Sequence, residues 1–171
     1  MSTTPLEIIN KVKQSNLITI DFEKWIRIEQ IVNVDLKEFL FNGLIVKEKE
    51  FREAIEGLDT SRVEGKICRL YCSIDTIIPK WAWMLVTLKL FETAEFVHVT
   101  SESDLIRVEL LRKIHTHDWA QYTDGFVILK GCSRLDIPEA VYAEATIYCS
   151  LYAKKVMYGE ACSNVPIYKR S

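Results

Sequence analysis

The 171-residue chain has no surplus of basic charge: 22 Lys and Arg against 24 Asp and Glu leave a net charge of -2, with a pI of about 6.0. A nucleic-acid or anionic-membrane surface needs Lys and Arg gathered on one face, so this balance argues against both partners. There is no apolar run near the roughly 18 residues of a membrane span. The opening Met1-Ser2-Thr3-Thr4-Pro5 lacks the basic and apolar regions of a secretory signal. Cysteine is scarce and odd in number, five residues, and nothing suggests export. The thiols are therefore expected to be reduced and the protein cytoplasmic. Phosphate-binding glycine loops, the dinucleotide fingerprint, the zinc-protease helix motif, the nucleophile elbow and a Cys-x-x-Cys pair are all missing. Ordinary nucleotide-dependent and serine-hydrolase chemistry is disfavoured on that ground.

What is present is ordinary globular material, 49% hydrophobic and 27% charged, with no low-complexity stretch or linker to divide it. The expectation is one domain over 1–171. It comprises an N-terminal helix and strand region (1–60), a first repeat (61–100), and a linking helix, second repeat and tail (101–171).

One phrase recurs three times: Cys-Ser, a short gap, then Pro. It reads Cys72-Ser73 to Pro79, Cys132-Ser133 to Pro138 and Cys162-Ser163 to Pro166. Around the first two copies, residues 65–99 and 125–158 align with a one-residue gap. Gly65 and Gly125 precede Cys72 and Cys132 by the same spacing, and Pro79 and Pro138 precede Ala94 and Ala153 by the same spacing. Each copy reads as strand, loop, helix, strand. Lys66–Tyr71 and Phe126–Lys130 are short apolar runs suited to buried strands. Pro79 and Pro138 mark helix starts for Lys80–Phe91 and Glu139–Tyr152, and Phe96–Val99 and Lys155–Tyr158 close the units. The fold class is thus α/β, a mostly parallel sheet with helices on both faces, built from two βαβ-like repeats in one domain.

Outside the repeats, Leu6–Lys13 and Glu102–Ile114 read as helices, the latter capped by Ser101 or Ser103. Leu17–Phe22 reads as extended. Asp35-Leu36-Lys37-Glu38 opens a short helix that stops at Asn42-Gly43, and Lys49–Glu56 is a helix with Gly57 as its C-cap. The two central helices are apolar nearly all round, which demands cover on both sides. A homodimer through that layer is the expectation.

Ligands collect at the carboxyl ends of parallel strands. If the strands before Cys72 and Cys132 share one sheet, both thiols emerge on one edge, and adjacent strands lie about 4.8 Å apart. Cys72, Cys132 and Cys162 are then candidate ligands for zinc or an iron–sulfur cluster. Ser73 and Ser133 would cap the following helices and orient the thiols. Asp75, Asp136 or one of His98, His115 and His117 would complete the shell.

Two other readings stand beside this one. Cysteine is among the most buried residue types, and Ser before a helix is a good cap, so the phrase also describes a retained turn with no site. A single thiol at a helix N-terminus could instead act as nucleophile. Cys68 and Cys149 fall inside a strand and a helix and read as core. His115-Thr116-His117-Asp118 reads as a solvated helix end rather than a ligand set, and Trp81 and Trp83 read as core.

The chain resembles an uncharacterised family, domain of unknown function 2480. The resemblance rests on Phe39 through Arg52, Cys72-Ser73 with Asp75, Ile78-Pro79 and Trp81-Ala82, Lys130-Gly131-Cys132-Ser133, and the ending Met157 through Arg170. Within 137–152 the chain departs from the family pattern. Glu139 and Ala140 replace small hydroxylated residues there, and Glu144 and Tyr148 vary the helix surface. The resemblance implies a bacterial protein without an established activity, encoded near iron–sulfur assembly genes. A role in cluster assembly or metal handling follows, with iron–sulfur assembly proteins as partners. The reading that results is a non-enzymatic binding protein.

Overall fold

Apolar runs of four or five residues alternate along this chain with longer segments of helical period, the pattern that makes parallel sheets. The computed structural model describes residues 17–171. Its strands are β1 (Leu17–Ile20), β2 (Ile31–Asp35), β3 (Ile67–Tyr71), β4 (Phe96–Val99), β5 (Phe126–Lys130), β6 (Lys155–Glu160) and β7 (Ser163–Lys169). Its α-helices are α1 (Glu48–Glu56), α2 (Lys80–Phe91), α3 (Leu105–Thr116) and α4 (Glu139–Tyr152). The class is α/β with mostly parallel strands, as expected. The helix expected over Leu6–Lys13 lies outside the described residues.

The strands do not form one sheet. β2-β3-β4 make one, all parallel, and β1-β5-β6-β7 make another, parallel except for the β6–β7 hairpin. The chain accordingly divides into two compact units, Met1–Trp25 with Leu111–Ser171 and Ile26–Leu110. The division falls inside α3.

The two repeats are real and equivalent. β3–α2–β4 and β5–α4–β6 are each a strand, a crossover helix and a neighbouring parallel strand. Pro79 and Pro138 are the N-caps of α2 and α4, with φ of -59° and -61° and ψ of 141° and 145°. Proline fixes φ near this value and lacks the N–H that a helix start would leave unbonded. This is why both helix boundaries were legible.

Each crossover helix buries one stripe at four-residue spacing: Ala82, Val86 and Leu90 on α2, and Val141, Ala145 and Cys149 on α4. The small residues let the helix lie close to the sheet. In the second unit, α2 and α1 (Phe51, Ile55) cover Val34, Cys68, Leu70 and Val97 from one face. Burying each large side chain there contributes about 1.5–3 kcal/mol.

The opposite stripe of each crossover helix is open. Met84, Leu88 and Phe91 on α2 and Ile147 and Leu151 on α4 are all more than half exposed. Leu88 and Ile147 occupy equivalent positions in the two repeats.

Two strands were not anticipated, β2 and β7. In Ile31-Val32-Asn33-Val34-Asp35 the polar positions interrupt a very short run. β7 contains Pro166, which argues against a central strand but is allowed at a sheet edge. The expected helix after Asp35 is instead a single 3-10 turn, Leu36–Phe39.

The β6–β7 hairpin depends on Gly159, whose φ is +126°. A Cβ there would lie 2.5 Å from the Ser163 carbonyl oxygen and 3.1 Å from Asn164 Cα. Both are backbone atoms that cannot swing aside. Gly159→Ala should therefore destabilise the protein by about 3 kcal/mol in a urea titration. A loss under about 0.5 kcal/mol would show that the hairpin backbone relaxes around the added methyl.

Candidate functional site

The three phrase-opening thiols are placed in three different settings. Cys72 follows β3 and packs half-buried against the β2-β3-β4 core. Cys132 follows β5 in the other sheet and is exposed; Cys162 sits exposed in the β6–β7 turn. The shared sheet edge that would have brought Cys72 to Cys132 does not exist, because β3 and β5 belong to different sheets.

Among the described residues no three His, Cys, Asp or Glu side chains are grouped as metal ligands are. The histidines offered as a further ligand are committed elsewhere. His98 Nε2 lies 2.8 Å from Glu109 Oε2, His115 Nε2 lies 2.7 Å from Glu144 Oε1, and His117 Nε2 lies 2.7 Å from the Tyr122 hydroxyl. Asp75 and Asp136 are exposed, each on its own loop.

Neither serine caps its helix. α2 and α4 have no side-chain cap at all, because five residues of loop separate Ser73 from Pro79 and four separate Ser133 from Pro138. The Ser133 hydroxyl donates to the Leu135 carbonyl instead. Ser73 is held by Asp35, whose carboxylate accepts from the Ser73 N–H at 3.1 Å and the Lys37 N–H at 3.0 Å. Burial pushes the Asp35 carboxyl up. The Ser73 hydroxyl, the two N–H groups and the Lys37 charge together outweigh it and hold the group below the usual carboxylate range. Cys68 and Cys149 are fully buried, and burial pushes their thiols up to about 11 and about 12. They are core, as expected, and inert as nucleophiles.

Asp35 has a counterpart that the sequence reading missed. Ile20-Asp21-Phe22-Glu23-Lys24-Trp25 and Val34-Asp35-Leu36-Lys37-Glu38-Phe39 share one pattern: apolar, Asp, apolar, two charges, aromatic. Each Asp ends or follows the strand that pairs with the phrase-bearing strand, and each opens a 3-10 turn, Phe22–Trp25 or Leu36–Phe39. Asp21 accepts from the Glu23 N–H at 3.2 Å and from Lys130 Nζ at 2.8 Å. That hydrogen bond to Asp21 raises the Lys130 pKa. The duplication therefore extends upstream, to a carboxylate beside each βα loop.

The second loop opens onto a cleft of about 620 Å³ at the carboxyl ends of β5 and β6, beside the start of α4. Ser133, Arg134, Asp136 and Glu139 provide its polar groups, and Tyr142 and Tyr158 form an aromatic shelf. The two rings meet edge to face at 5.3 Å. The Tyr142 hydroxyl donates to the Lys130 carbonyl at 3.0 Å. Burial, reinforced by Tyr158, pushes its pKa up to about 12, so it stays a neutral donor.

Gly131 lies close beneath the Tyr158 ring: a Cβ there would lie 2.8 Å from Tyr158 Cζ, and the outer end of that ring would have to shift. Arg134 is tied to Glu23 through its backbone N–H at 3.1 Å and its Nε at 3.3 Å. One cation and two carboxylates on the wall leave the cleft with a formal charge of -1. The signal that could have found it was the Lys130-Gly131 pair before the second Cys-Ser, a strand end followed by a residue with no side chain.

The chain belongs to the family described as protein of unknown function (DUF2480), which it matches over residues 6–170. No curated protein and no solved structure matches it.

Asp35→Ala would leave the Ser73 and Lys37 N–H groups without their acceptor. We expect a loss of about 1–2 kcal/mol in a denaturant titration, with Asp35→Asn recovering part of it. Equal losses for the two variants would show that the charge, rather than the acceptor geometry, holds the first loop.

Proposed function

We propose that this member of the DUF2480 family is a non-enzymatic binding protein that takes a small, donor-rich ligand, an amine or polyol, in the cleft beside the second Cys-Ser loop. The observation that carries the reading is the cleft itself: about 620 Å³ at the carboxyl ends of two parallel strands, where α/β folds bind ligands. Its acceptors, Asp136 and Glu139, outnumber Arg134, which is already paired with Glu23. A ligand carrying N–H or O–H groups meets those carboxylates, and the Tyr142–Tyr158 shelf packs its apolar surface.

Among the described residues zinc or an iron–sulfur cluster finds no ready group of ligands. The thiols stand on three separate loops, Cys72 on one sheet and Cys132 and Cys162 on the other, and the described histidines are bonded to carboxylates or a phenol.

An NMR titration with ethanolamine, glucose and inorganic phosphate tests the cleft. Shifts centred on Gly131, Ser133, Asp136 and Tyr158 are expected with the amine or the sugar. They should disappear in Asp136→Asn/Glu139→Gln and in Gly131→Val, which displaces the Tyr158 ring. Phosphate alone shifting those signals would overturn the ligand class, and no shift with any probe would overturn the site.

A second feature favours self-association. The equivalent open stripes, Met84-Leu88-Phe91 and Ile147-Leu151, leave large side chains exposed on the same helix in both repeats, and apolar stripes of this kind mark interaction surfaces. We expect a homodimer by sedimentation equilibrium. Leu88→Glu and Ile147→Glu, both on already exposed positions, should each shift it toward monomer by about tenfold or more in Kd. A monomeric wild-type chain sinks this reading.

A further inference from the structure

A second candidate site lies in the other unit, on the face of the β2-β3-β4 sheet turned away from the α1–α2 core. Strand register places Asn33, Arg69 and His98 side by side across the three strands. Cross-strand partners share a face. Apart from Asp35 and Tyr71 at the strand ends, the other positions of this sheet are apolar, so the three side chains make one polar row across it.

The row runs on into α3. His98, 8% exposed, lies 2.8 Å from the carboxylate of Glu109, which is 0% exposed. Thiols aside, Arg69, His98 and Glu109 are the buried polar or charged side chains among the described residues. Removing such groups from water is costly, and a buried ion pair is weak evidence for stability. Their concentration on one sheet face calls for another reason.

Arg69 supplies it. The residue is only 6% exposed; its guanidinium is anchored by Nε–H donation to Asn33 Oδ1 at 2.7 Å and lies 4.0 Å from the Tyr71 ring centre. Its other described partner is the Glu102 carboxylate, 86% exposed and 3.7 Å away, beyond hydrogen-bonding distance. No nitrogen among the described side chains is sealed from solvent without a partner. The guanidinium edge that Asn33 does not use therefore opens onto accessible space, and that space is a cleft of about 270 Å³ lined by Arg69, Asn33 and Glu102. Ile28, Ile31, Leu105 and Ile106 form the rest of its wall.

An oriented, nearly buried guanidinium with a free fork at the end of an apolar cleft suits a planar carboxylate bonded by both oxygens. The volume, about 270 Å³, falls just below the usual ligand-cavity range of about 300 to 1,000 Å³, which limits the ligand to a small one. We propose that this cleft binds a short-chain aliphatic carboxylate. Arg69 holds its two oxygens, its chain lies against Leu105 and Ile106, and Glu102 acts as the resident counter-ion that the ligand displaces. This site is distinct from the acidic cleft beside α4 and would survive that reading's failure.

The test is an NMR titration of the full chain with sodium hexanoate, n-hexylammonium chloride and inorganic phosphate. It follows the Arg69 Nε–H signal and the Leu105 and Ile106 methyl groups. Hexanoate should move all three, and hexylammonium should move none. Arg69→Met should weaken hexanoate about tenfold or more, the range expected for a charge-assisted bond.

Because Arg69 is nearly buried and its replacement could unfold the unit, two further variants carry the test independently. Glu102→Gln removes an exposed competitor and should tighten hexanoate about threefold or more. Ile106→Trp fills the cleft and should abolish binding in a folded protein. The proposal is overturned by any of three results: hexanoate and hexylammonium acting alike at about 10 mM, phosphate binding as tightly as hexanoate, or Glu102→Gln leaving hexanoate affinity unchanged.

Discussion

A parallel strand pair cannot be closed by a tight turn. The chain must leave the carboxyl end of one strand, cross the sheet and re-enter at the amino end of the next. β3–β4 and β5–β6 both obey this constraint, and the rest of the architecture follows from it. Each crossover needs a helix thin enough on one side to lie on the sheet, which is why α2 and α4 bury Ala82-Val86-Leu90 and Val141-Ala145-Cys149. Each crossover also begins with a loop at the carboxyl edge, and these are the two loops that carry Cys-Ser and end in Pro. A chemistry-bearing phrase recurs because the topology recurs.

The copies have diverged in what the carboxylate beside the loop does. In the first, Asp35 takes the Ser73 N–H and hydroxyl and clasps the loop to its neighbouring strand. In the second, Asp21 takes Lys130 Nζ, Glu23 takes the Arg134 N–H, and the loop is drawn toward the 3-10 turn. There the cleft lies beside α4. One duplicated loop became a clasp and the other a wall. Gly131 decides the shape of that wall, since any side chain there would meet the Tyr158 ring.

The polar row Asn33-Arg69-His98 shows how local patterns mislead. Read alone, Ile67-Cys68-Arg69-Leu70-Tyr71 is a buried strand with one charge to be explained away. Read in register, the charge is one member of a row with Asn33 and His98, extended by Glu109 from α3. The three histidines illustrate the same point. Their residue type suggested metal, but each is bonded to a carboxylate or phenol at least five residues away along the chain.

Local chemistry was enough for much of this protein. Pro79 and Pro138 set the starts of α2 and α4, because proline's fixed φ and missing N–H act on the residue itself. The matched spacing of Gly, Cys-Ser, Pro and Ala and the short apolar runs identified the βαβ repeats, because a repeated phrase and a run's composition are properties of the segment itself. Asp35 and Gly57 announced their turns for the same reason. β2 and β7 escaped notice because a short strand interrupted by Asn33, or containing Pro166, is stabilised by its neighbours rather than by its own pattern. Which sheet each strand joins was decided only by tertiary structure, and with it the placing of Cys72 and Cys132 after strands of different sheets, the pairing of His98 with Glu109, and the opening of two clefts. Strand partnership is a contact between segments distant in the chain, and nothing in the residues of one strand specifies which other strand it will meet.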